Sequence, residues 1–181
     1  MLSGPRVRLR PFTEADFDER YRRHIDMSQR GDYYPLHLSS EATYRARFAE
    51  NGWWSPNEGA LAILDDQGNL AGTVDFERVV ADVDELVIGY LVYPEYRGRG
   101  YASEALGLFV RYLFATRHDM NRARLNIHLD NAASIGVAER AGFKLEGRAR
   151  EGWYHRGRWQ DVLMYSLVRG ELEAVKSQHV V

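Results

Sequence analysis

The spacing of apolar and polar positions changes several times along the chain, and each change predicts an element. Val7-Arg8-Leu9-Arg10 alternates with period two and predicts a strand. Thr13 then opens a helix, with Glu14 and Asp16 in its first turn, where carboxylates suit the helix dipole. Residues 31–60 are mixed: a helix is predicted from Ser40 to Glu50, and Trp53, Trp54 and Pro56 fall in a loop. Ala60 to Leu64 and Ala71 to Val79 predict a hairpin around Asp65-Asp66-Gln67-Gly68-Asn69. A third strand runs from Glu85 to Val92. The period then becomes helical, with Leu106, Phe109, Val110 and Leu113 on one stripe between Ala105 and Thr116, and the helix begins near Tyr101. Arg124 to Leu129 reads as a strand. Ala132 to Arg140 reads as a short helix, with Gly142 where a left-handed C-cap is wanted. Arg148 to Tyr154 and Gln160 to Leu167 form a last hairpin around His155-Arg156-Gly157-Arg158.

Antiparallel strands first, then one β-helix-β unit, then a helix and a hairpin predict a mixed α/β (α+β) domain rather than a repeated parallel array. The 181 residues are 45% hydrophobic, enough for one domain with a full core, so we expect a single unit over 1–181 with its core over residues 6–170. Charges are spread along the chain and no basic tail stands out, so coating of nucleic acid is not implied. The absence of cysteine excludes disulfides, zinc–thiolate sites and a cysteine nucleophile. His24 and His37 lack metal-ligand spacing, and no metal is expected. The first ten residues lack the apolar stretch of a signal peptide and no segment has the apolar length of a membrane span. A cytoplasmic protein without a membrane partner is therefore expected.

The run Tyr93-Pro94-Glu95-Tyr96-Arg97-Gly98-Arg99-Gly100-Tyr101-Ala102-Ser103 joins a strand to a helix. Backbone N–H groups at a helix start have no partner inside the helix. Glycines at 98 and 100 let those groups turn inward and let a ligand approach. Arg97 and Arg99 add positive charge, and small Ala102 and Ser103 leave room over the first turn. Together they make an anion site, most simply a phosphate site. The Walker loop is absent, and the dinucleotide fingerprint fails because Ser103 stands at the third glycine position.

Arg97, Gly100 and Ala102, in the order Arg-x-x-Gly-x-Ala, resemble the acetyl-CoA pyrophosphate motif of the GCN5-related N-acetyltransferases (GNAT). The resemblance continues in order through Val-Arg-Leu-Arg-Pro-Phe near the N-terminus, Ile88-Gly89-Tyr90, Asn131-Ala132-Ala133-Ser134, Ala141 to Gly147 and Gly157 to Val162. It is to the RimJ/RimL-like branch and covers nearly the whole chain. It implies a mostly antiparallel sheet with a splayed parallel strand pair and acetyl-CoA lying between those strands. The implied contacts are backbone groups of Leu91, Val92 and Tyr93 for the pantetheine arm, Arg97 to Ser103 (including Arg99 and Tyr101) for the pyrophosphate, and Asn131 and Ser134 beside the thioester. Gly89 fits a bulge or a close approach in that cleft.

An acetyl group would move to a primary amine, on a protein N-terminus or a small molecule, by direct attack, since no cysteine can carry it. The resemblance gives Ser134 the role of protonating the departing thiolate. Many relatives use a tyrosine further along that helix, where this chain has Ala138. Asn131 also suits a plain N-cap. The general base is less defined, because the family's glutamate before Ile-Gly-Tyr is replaced by Val87, and that of the last hairpin by Trp153. Glu85 shares strand parity with Val87 and is the expected base, with Asp75 and Glu77 on the neighbouring strand as other carboxylates. Deprotonating an α-amine of pKa ~7.7 at pH 7 costs about 1 kcal/mol, against about 4.6 for a lysine of pKa ~10.4. A weak base therefore favours low-pKa amines. Two other readings stay open: a CoA-binding sensor without turnover, and an RNA-binding protein using the basic-aromatic hairpin 148–159. His128 reads as a strand-surface residue, Asp161 and Tyr165 as structural partners, and Trp53 and Trp54 as either a substrate-side wall or core. A homodimer is compatible with the resemblance.

Overall fold

The computed structural model describes residues 1–34, 38–79 and 84–172; His37 lies outside them. The elements are β1 (Leu2–Ser3), β2 (Arg8–Pro11), α1 (Glu14–Ile25), α2 (Met27–Arg30), α3 (Glu41–Asn51), β3 (Glu58–Leu64), β4 (Leu70–Glu77) and β5 (Glu85–Val92). After a 3-10 turn (Pro94–Tyr96) come α4 (Tyr101–Thr116), β6 (Arg122–His128), α5 (Ala132–Arg140), β7 (Lys144–His155) and β8 (Arg158–Val168). The strands form one sheet in the order β1-β2-β3-β4-β5-β6-β8-β7. Every neighbouring pair is antiparallel except β5–β6, where α4 makes the return crossing that a parallel pair requires.

The sheet is covered on both faces, which is why β3 reads as a continuous apolar run rather than an alternation. Leu61 and Ile63 join the main core with Leu106, Phe109 and Leu113 of α4. Ala60, Ala62 and Leu64 join a second core with Phe17 of α1, Phe48 of α3 and Trp53. Trp54 goes to the first core, edge-on to Phe76 at 5.4 Å. The two tryptophans of the expected loop thus pack into opposite layers, Trp53 buried and Trp54 partly so.

The start of α1 is fixed by Asp16, which accepts from the Thr13 N–H at 2.8 Å and pairs with Arg10 at 2.6 Å. Burial opposes ionisation there, but the Arg10 guanidinium and the Thr13 donors win and hold the carboxyl down at about 2. At the end of α5, Gly142 has φ +85° and its N–H donates to the Glu139 carbonyl at 3.0 Å, as the sequence predicts.

Two expectations change. β7 begins at Lys144, four residues before the predicted Arg148, and its register against β8 shifts between Leu145/Gly147 and Ala149/Trp153. Those irregularities break the period-two pattern on which the prediction relies. At Gly89 the β4–β5 ladder runs without a shift, so there is no bulge; the glycine serves a close approach instead.

Candidate active site

β5 and β6 pair only over Glu85↔Arg122, Leu86↔Ala123 and Val87↔Arg124. Beyond Val87, β5 stays bonded to β4 as far as Val92, and β6 stays bonded to β8 as far as His128. The two strands therefore part, and one edge of each is left with backbone groups that need partners. A cavity of about 1120 Å³ fills the wedge.

Most of the residues singled out from the sequence meet in this wedge. Leu91 and Val92 line it from β5, and Asn131 and Ser134 from the start of α5. Arg97, Gly98, Gly100, Tyr101, Ala102 and Ser103 close it at the head of α4. Three do not line it. The Tyr93 N–H is spent on the Ala71 carbonyl at 2.9 Å and its ring is buried under Arg23, so Tyr93 belongs to the other side of β5. Arg99 turns to the Glu95 carbonyl at 2.9 Å. Glu85, the expected base, sits at the closed end of the strand pair, with Arg124 at 3.2 Å and Arg122 at 3.8 Å. Its carboxylate is paired with two arginines and stands outside the cavity lining.

The head of α4 fits a diphosphate. Gly98 and Gly100 have φ +74° and +79°, in the left-handed region that disfavours any side chain. A Cβ built on Gly98 would meet nothing within 4 Å, so the approach to the backbone is open. Among the described residues no hydrogen bond engages the N–H groups of Gly98, Arg99 or Gly100, and the first amides of α4 lack intrahelical acceptors. Arg97 ties the loop down, donating from Nε to the Val92 carbonyl at 3.0 Å and from Nη2 to the Gln29 carbonyl at 3.2 Å. Arg140, which sequence reasoning did not single out, adds a cation by donating to the Ser103 hydroxyl at 3.2 Å. It stands 37 residues from Ser103 and no local motif marks it.

Asn131 caps α5 by accepting from the Ser134 N–H at 3.1 Å. Its amide nitrogen and the Ser134 hydroxyl carry no hydrogen bond among the described residues, so both donors are available to the wedge. The Tyr90 hydroxyl lies beside them, 3.4 Å from the Ser134 carbonyl. Ala138, where many relatives were expected to have tyrosine, is fully buried. His128, expected on the strand surface, is also buried. Its Nδ1 accepts from the Asp130 N–H at 3.1 Å and its Nε2 meets Gln160, so neither ring nitrogen is spare.

Among the carboxylates that line the wedge (Asp32, Asp75 and Glu77), Asp75 of β4 stands opposite Gly89. A Cβ on Gly89 would come within 2.5 Å of its Oδ1. The glycine makes the space that the carboxylate occupies. Burial pushes the Asp75 carboxyl up to about 6, with Arg20 opposing and Glu77 adding to the rise. The sequence offered Asp75 only as one of several sheet carboxylates; its pairing with Gly89 is the signal that separates it. Among the described residues no three metal-ligating side chains cluster, and no helix is long and apolar enough to cross a membrane.

Comparison with known proteins agrees with this geometry. The Acetyltransferase (GNAT) domain family matches residues 6–144. The putative ribosomal N-acetyltransferase YdaF of Bacillus subtilis is 31% identical over 147 residues, covering 80% of this chain and 79% of that protein. The spermidine N-acetyltransferase of Vibrio cholerae, solved with CoA and spermine, superposes with a TM-score of 0.76 at 20% identity, over 94% of this chain and 99% of that one. RimL, a ribosomal L7/L12 alpha-N-protein acetyltransferase solved with coenzyme A, gives 0.74 at 23% identity, over 91% and 95%. The chain belongs to the GNAT acetyltransferase family, and is an N-acetyltransferase that uses acetyl-CoA as its acyl donor.

Proposed function

We propose that acetyl-CoA lies along the β5 edge with its diphosphate on the head of α4, and that Asp75, not Glu85, takes the proton from the attacking amine. The amine nitrogen bonds to the thioester carbonyl carbon, the carbon–sulfur bond breaks, and the Ser134 hydroxyl supplies a proton to the leaving sulfur. The observation that carries this reading is the half-buried Asp75 carboxyl on the wall of the wedge, raised to about 6. Moving a proton from an α-amine of pKa ~7.7 to a group near 6 is uphill by about 2 kcal/mol, against about 5 for an ordinary aspartate. For a lysine-like amine of pKa ~10.4 the same transfer is uphill by about 6 kcal/mol. Asp75 is thus suited to α-amines and other low-pKa amines, the acceptor class named in RimL's description as an alpha-N-protein acetyltransferase.

Thiol release from acetyl-CoA over an amine panel tests the reading. We expect turnover with α-amines well above that with an internal lysine in an N-blocked peptide. Stabilisation by CoA with no release on any amine would instead favour a sensor. The RNA alternative has little support: Arg156 pairs with Asp32 at 2.8 Å, Arg148 pairs with Asp161, and Trp153 lines the wedge.

A further inference from the structure

A second cavity of about 340 Å³ adjoins the first. Arg30, Tyr34, Asp75, Glu77 and Leu91 line both, so the two share a mouth at the proposed base. The rest of its lining includes Arg20 and Arg23 of α1, Trp53 after α3, and Thr73 of β4. Most charges on that wall are matched internally. Arg23 pairs with Glu19 at 2.6 Å and Glu95 at 2.8 Å, and Arg47 pairs with Glu58 at 2.9 Å.

Arg20 and Thr73 each leave one polar atom without a hydrogen-bond partner. The Arg20 guanidinium is held between the rings of Trp53 at 3.8 Å and Phe12 at 3.9 Å, and its Nη1 is buried without a hydrogen-bond partner. Thr73 is 6% exposed, and its Oγ1 is buried without a partner as well. Buried polar atoms are almost always satisfied, and leaving one unsatisfied is costly. Two such atoms on one cavity wall, one cationic and fixed in orientation by aromatic stacking, mark a place for an acceptor oxygen. Carboxylates Asp75 and Glu77 share the mouth with Arg30, and Arg20, near enough to oppose the upward shift of Asp75, adds its guanidinium to the cavity wall.

We propose that this cavity selects an acceptor whose amine lies at Asp75 and whose own anionic group, a carboxylate or phosphate a few bonds away, is held by Arg20 and Thr73. An acidic first residue of a peptide and a free acidic amino acid share this chemistry. A polyamine does not: its second ammonium would meet the Arg20 guanidinium. The inference rests on the reading of Asp75 as the group that meets the amine.

The test is kcat/KM of the full chain, at fixed acetyl-CoA, for peptides alike except for Glu, Gln or Lys as first residue, together with free glutamate, O-phosphoserine and spermidine. The expected result is a Glu-over-Gln preference of about tenfold or more, with Lys-first peptide and spermidine lower still. Faster turnover of the peptide or of the free amino acids identifies the source of the acid, and either supports the proposal. Arg20→Gln should bring the Glu/Gln ratio to about one, and Thr73→Val, which changes shape little, should lower it several-fold. A wild-type ratio near one, a preference for Lys-first peptide or spermidine, or a ratio unchanged in both variants would overturn the proposal while leaving acetyl transfer intact. No thiol release on any amine would overturn the transferase reading and this inference with it.

Discussion

The donor end of the wedge, at the head of α4 and the start of α5, is rich in glycines and small side chains, whereas the cavity beside it is walled by arginines and large aromatics. The wedge suits a ligand whose shape is constant, because strand edges and helix-start amides recognise a chain and a phosphate without regard to side-chain detail. The neighbouring cavity suits a ligand that must be chosen, because its charges and stacked rings can be changed one at a time. One fold can therefore keep its acyl donor while its acceptor varies. Asp75 stands where the two meet.

That contrast can be broken at several points. Asp75→Asn should have the largest effect, lowering kcat by about 10²- to 10⁴-fold for an α-amine while thermal stabilisation by CoA persists. Gly89→Ala acts on the same carboxylate from across the ladder. The added Cβ would lie 2.5 Å from Asp75 Oδ1 and must displace it. We expect a fall in kcat of about ten- to a hundredfold with little change in KM for acetyl-CoA, measured by initial rates. Gly100→Val strikes the wedge instead. It puts a branched side chain at φ +79° where the diphosphate must approach, and should raise KM for acetyl-CoA by about tenfold or more. Ser134→Ala should be milder, about tenfold in kcat with CoA affinity nearly intact, because a thiol of pKa ~8.5 leaves readily even unprotonated. Unchanged turnover across the pH range would remove Ser134 from the mechanism.

The same contrast governs what could be read from the sequence. The wedge was legible because its parts are consecutive: residues 97–103 form one run, and Asn131 and Ser134 one helix start. Strand and helix periods placed β5, α4 and α5 closely for the same reason, whereas β1 and α2 are too short to carry a period. The second cavity was hidden because Arg20, Trp53 and Thr73 come together only when α1, the loop after α3 and β4 pack, and no local spacing links them. Parity alone points to Glu85. Parity gives the face of a strand, but Glu85 lies on the paired end of β5, beside Arg122 and Arg124, and the open end starts only after Val87.

The claim that an amine loses its proton to Asp75 is tested most directly by the pH dependence of kcat/KM for two acceptors of different amine pKa, in the wild-type chain and in Asp75→Asn. With Asp75 active as its carboxylate, the rate should fall on acidification through about 6, at the same pH for both acceptors, and Asp75→Asn should lack that limb. An acidic limb that moves with the acceptor, or that Asp75→Asn retains at wild-type rate, would contradict the account.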